Sequence, residues 1–66
     1  MDKIYGITKL GKKVIRDSSL SGNELRVLQY LQDNRSASSD QLEVVGGERW
    51  LLRSLERRGL VKELTI

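Results

Sequence analysis

Arginine recurs at positions 49, 53 and 57, a four-residue spacing that lines side chains up along one face of an α-helix. On the same turns, Arg49, Arg53 and Arg57 share that side with Trp50 and Ser54. Guanidinium groups in such a row offer bidentate donors that suit phosphate oxygens or the O6 and N7 atoms of guanine. The chemistry this pattern supplies is recognition of duplex DNA by a helix in the major groove. The plain alternative is a solvated helix whose arginines pair with Glu48 and Glu56. Trp50 sharpens the choice, because an indole is costly to leave wet. It can fold back over an N-terminal strand, or anchor a protein partner or a second copy of the chain. Stacking on a nucleic-acid base is a further use, and that favours a single strand over a duplex.

A second basic set lies near the N-terminus. Lys9, Lys12, Lys13 and Arg16 fall on one side of a helical wheel and suit a phosphate-contacting surface, or simple solubility. Were their helix to lie beside the one carrying Arg53, the two basic faces would flank one duplex.

Catalysis finds little to work with. Histidine and cysteine are both absent, which removes the commonest general base and the strongest nucleophile. The acidic residues are scattered, and the glycines form neither a G-x-x-x-x-G-K-S/T nor a G-x-G-x-x-G run. The expectation is a binding module without catalytic residues, cofactor or metal.

Sixty-six residues make one domain, with a small core and marginal stability. Neither disulfides nor zinc can staple it, so helix packing must hold it together. The lack of cysteine fits a reducing compartment. No apolar run approaches the length of a membrane span, and residues 1–6 lack the apolar stretch of a signal peptide. The sequence therefore predicts a cytoplasmic protein without a membrane partner. Twelve Lys and Arg against nine Asp and Glu give a net charge of +3, an excess that permits nucleic-acid binding without requiring it.

These side chains need elements to position them. Ile4–Ile7 is a short β-prone run. Thr8 can cap a first helix from Lys9 to Arg16, with Leu10, Gly11, Val14 and Ile15 on its apolar side. Gly11 costs about 1 kcal/mol in a helix interior, so its place there predicts a close approach by another helix. Residues 17–20 form a connection. Ser21 and Glu24 then read as a capping box, opening a helix that runs to about Asp33 on Leu25, Leu28 and Leu31, with Val27 at the flank. Residues 34–37 read as a loop. Ser38 or Ser39 starts a short third helix with Leu42 and Val45 inward, and Gly46-Gly47 ends it. The fourth helix runs from Glu48 to Arg58 on a stripe of Leu51, Leu52 and Leu55. Glu48 suits its positive end, and Gly59 supplies its left-handed stop. Leu60 to Ile66 is a final strand, pairing at Leu60–Leu64 with Ile4–Ile7.

The run Ser39-Asp40-Gln41-Leu42, followed by Leu52-Arg53-Ser54-Leu55-Glu56-Arg57-Arg58-Gly59-Leu60-Val61, resembles the winged helix-turn-helix superfamily of bacterial and archaeal regulators. Asn23 to Leu28 is similar to that family's first core helix. The resemblance covers roughly residues 21 to 64 and rests most on the Gly-Leu-Val ending. The stretch from Leu42 to Leu52 is shorter than the family norm by about one helical turn, and Ile66 stands where a wing hairpin should turn. The segment from Tyr5 to Lys12 looks like the one that follows the wing, yet here it comes first. The resemblance implies a mainly α fold with a small β pairing, in the order β-α-α-α-α-β, and DNA binding through Arg49, Arg53 and Arg57. A single recognition helix reads few bases, so a homodimer over two half-sites is the expected working form. Transcription regulation or chromatin association would follow. A winged-helix protein-interaction module using Trp50, or an RNA-binding module, are the competing readings, since fold does not fix function.

Overall fold

The computed structural model describes residues 3–17 and 20–64. Along them run β1 (Ile4–Ile7), α1 (Lys9–Asp17), α2 (Gly22–Asn34), β2 (Ser36–Ser38), α3 (Ser39–Val44), α4 (Arg49–Arg57) and β3 (Val61–Glu63). The fold is mainly helical with a small antiparallel sheet, as the sequence predicts. Ser18 and Ser19 of the expected connection, and Thr65 and Ile66 of the expected last strand, lie outside the described residues.

The two ends of the chain pair: Tyr5 stands opposite Glu63, Gly6 opposite Lys62 and Ile7 opposite Val61. The sheet is one strand larger than expected. Ser36 and Ala37, read as loop, and Ser38, read as a candidate helix start, form β2 on the other edge of β1, with Ala37 opposite Tyr5, so β1 is the middle strand of order β2-β1-β3. Ser36-Ala37-Ser38 has no β-branched or aromatic residue and hence no local strand signal. What recruits it is the free edge of β1 and the burial of Ala37 in the core. The Ser39 amide extends this edge by donating to the Lys3 carbonyl at 2.8 Å.

Capping determines where the helices start. The Ser21 amide donates to Glu24 Oε1 at 2.9 Å, and Ser21 Oγ accepts from the Glu24 amide. Ser38 and Gln41 repeat the arrangement at α3, which selects Ser38 over Ser39 as its cap. Thr8 Oγ1 accepts from the Gly11 amide at 3.0 Å and donates to the Gly59 carbonyl at 2.6 Å, so the cap of α1 also grips the end of α4.

Helices α3 and α4 stop by one device. Gly46 (φ 98°) and Gly59 (φ 77°) take left-handed backbone that an L side chain rarely adopts. The Gly47 amide then reaches the Leu42 carbonyl at 2.7 Å, and the Leu60 amide reaches the Leu55 carbonyl at 2.9 Å, which satisfies carbonyls left over at the helix ends.

The core joins α2 (Val27, Leu28, Leu31), Leu42 of α3, and α4 (Leu51, Leu52, Leu55) with Tyr5, Ala37, Leu60 and Val61 from the sheet side. The stripe on α2 is turned toward Val27, which is wholly buried, while Leu25 is half-buried. The cause is the α3–α4 turn: a Cβ on Gly47 would come within 2.9 Å of Val27 Cγ2, so the bare glycine lets the turn lie directly on Val27. On α1, Leu10 is exposed, against expectation. Gly11 is the buried position, but its close neighbours are the Leu60 carbonyl and the Ile7 side chain rather than another helix.

Candidate nucleic-acid interface

Leu51, Leu52 and Leu55 bury one side of α4, and this orients everything else on the helix. The opposite side carries an open hollow of about 460 Å³ lined by Arg49, Trp50, Arg53, Ser54, Arg57 and Arg58. The residues the spacing predicts to share a face do share one.

Of their expected acidic partners, Glu48 is engaged elsewhere, and Glu56 forms no ion pair with them within the described residues. Glu48 is the N-cap residue rather than the first helical one, and it makes no side-chain cap bond. Its Oε2 instead accepts from the Trp50 indole Nε1 at 2.6 Å. Arg58 forms an ion pair with Glu24 of α2. No side-chain hydrogen bond or ion pair holds Arg49, Arg53 or Arg57 within the described residues, so the outward guanidinium row stands open to a ligand. Trp50 is not folded over β1; it is 64% exposed.

The sheet adds two residues that spacing does not reveal. A cleft of about 260 Å³ beside α4 is lined by Lys3, Tyr5, Ser39, Arg49, Leu52, Arg53 and Glu56. Arg49 and Arg53 thus border both hollows, and Lys3 joins them because the β1 ladder holds it against the start of α3. Nothing near Lys3 in the chain signals this; only pairing of β1 with β2 does. Burial raises the Tyr5 phenol above its usual 10.0, with Glu56 and Glu63 adding to the rise and Arg53 and Arg49 opposing it. Tyr5 is therefore a neutral donor at physiological pH, set between the arginines and the core.

The α1 ridge stays separate. Lys9, Lys12, Lys13 and Arg16 line their own depression of about 280 Å³ with Gln32 of α2, and α1 packs on α2. The structure gathers the four cations as predicted but does not bring them into the hollow of α4.

Among the described residues no cluster of His, Cys, Asp and Glu is arranged to hold a metal ion, and no helix is long and apolar enough to cross a membrane. No protein-family model matches the chain, and no curated protein or solved structure matches it.

Proposed function

We propose that this chain is a DNA-binding module of winged helix-turn-helix type, with α4 presented to the major groove of a duplex. The observation that carries this reading is the open row of Arg49, Arg53 and Arg57 beside Ser54, on a helix whose other side is locked into the core. Rigid support of that kind lets a helix place donors at base edges without a large ordering cost. The strand order supports the same reading. The Tyr5–Lys12 segment, which resembles one that follows a wing, supplies the middle strand between β2 and β3, so the N-terminal end takes the place of a returning wing strand.

On this reading Arg49, Arg53, Ser54 and Arg57 meet bases and phosphates. Lys9, Lys12, Lys13 and Arg16 form a separate phosphate-contacting ridge. The module works in the cytoplasm in transcription regulation or chromatin association, as a homodimer over two half-sites about one helical turn apart, with no cofactor and no catalytic step.

The test is a titration against blunt duplex DNA at several salt concentrations. Neutralising Z phosphates gives a log–log slope near −0.9Z. A weak response that is flat in salt would remove the DNA reading and leave Trp50 as the anchor of a protein partner.

A further inference from the structure

We propose that the α4 hollow seats one unpaired nucleobase against Trp50, so that the preferred ligand is DNA carrying a single-stranded segment next to duplex. This rests on the nucleic-acid reading above and narrows it.

The surroundings of Trp50 decide what it can bind. Trp50 lines the hollow with Arg49, Arg53, Ser54, Arg57 and Arg58, and lines a second hollow with Glu43, Gly46, Glu48 and Arg49. Among the described residues no second large apolar side chain lines either hollow. Val44, the most exposed large hydrophobic side chain among the described residues, lies with Tyr30 and Val45 around a different hollow. Protein-binding tryptophans also sit beside arginine, but the lining of the α4 hollow has four guanidinium groups and no acidic side chain. A ring set among guanidinium groups is complementary to a base whose neighbouring phosphates are anionic.

The polar edge of the indole is already satisfied. Its Nε1 donates to Glu48 at 2.6 Å, which leaves the π surface as what the side chain has to offer and restrains the ring before a ligand arrives. Stacked bases inside a duplex present only their edges to a groove, whereas an unpaired base presents its face. The Glu48 carboxylate repels phosphate at the N-terminal end of the hollow. The strand backbone therefore runs toward Arg53 and Arg57, one and two turns along the helix.

The chain has a single tryptophan, so intrinsic fluorescence reports on this site alone. The experiment compares a fluorescein-labelled duplex bearing a ten-nucleotide thymidine overhang with a blunt duplex of equal phosphate count, by anisotropy and by quenching of Trp50. The overhang should bind roughly ten-fold more tightly, the scale of one stacked base, and should quench the emission. Trp50→Ala should abolish that preference, so that the two DNAs bind equally, and Trp50→Phe should keep most of it; circular dichroism verifies the fold of both variants. Equal affinity for the two duplexes, without quenching, overturns the inference while leaving duplex binding standing. Failure of both DNAs to bind at low salt overturns it together with the reading beneath it.

Discussion

Arg58 and Glu24, 34 residues apart in the chain, meet through Nη1 and Oε2 at 2.6 Å. The pair ties the C-terminal end of α4 to the first turn of α2, where a cation and an anion respectively suit the ends of the two helix dipoles. It also withdraws Arg58 from the open arginine row, although Arg58 borders the same hollow. The Glu24 carboxylate serves its own helix too, through the capping box with Ser21.

That double duty makes Glu24 an acid-sensitive support. The Ser21 backbone amide is the main reason its carboxyl lies below the ordinary 4.5; burial, the next largest effect, opposes it, and the Ser21 hydroxyl and Arg58 add to the lowering. A depressed folded-state pKa contributes stability that is present above 4.5 and lost as pH falls through the folded value. Glu24→Gln keeps a capping acceptor but loses the charge. It should lower stability by about 1 kcal/mol or less at neutral pH, because Arg58 is well exposed. Urea unfolding between neutral pH and pH 3 should show a smaller acid-side loss in the variant. Equal slopes in the two proteins would remove Glu24 as the cause.

Gly11→Ala tests the close approach of α1 to the end of α4. Alanine gains about 1 kcal/mol of intrinsic helix propensity. Its Cβ, however, would overlap the Leu60 carbonyl oxygen and crowd Ile7, and a backbone atom cannot swing aside as a side chain can. Overpacking of this kind costs about 1–3 kcal/mol, so a lower melting temperature is expected. A variant that melts higher would show that α1 does not press on Leu60.

Leu28→Ala and Leu55→Ala each remove a side chain with no exposed surface. Each should cost about 2–5 kcal/mol, enough to unfold much of so small a domain. Thermal melts followed by circular dichroism measure this directly, and wild-type midpoints would contradict the core assigned here.

Arg53→Ala and Lys12→Ala separate the two basic faces. Arg53 is exposed near the middle of α4, so the variant should fold normally, within about ±0.5 kcal/mol. Its affinity for a preferred duplex should fall by about 1–3 kcal/mol if Arg53 reads a base. Lys12→Ala should instead weaken all sequences alike and reduce the salt slope by about one unit. Unchanged low-salt affinity in Arg53→Ala would dismiss α4 as the recognition helix.

What the sequence determined by itself is local. The four-residue arginine spacing, the leucine stripe opposite it, the Ser21–Glu24 cap and the glycine stops at Gly46 and Gly59 are interactions between residues a turn or less apart. Backbone geometry alone dictates which of those side chains can meet. The tertiary structure decided the rest. It turned Ser36–Ser38 into a strand, brought Lys3 and Tyr5 beside Arg49 and Arg53, exposed Leu10, and joined Arg58 to Glu24. It also kept the α1 ridge out of the α4 hollow. Each of these depends on segments far apart in the chain being held together by one shared core. Their placement follows from packing and closure of the whole sheet, to which no window of neighbouring residues is sensitive.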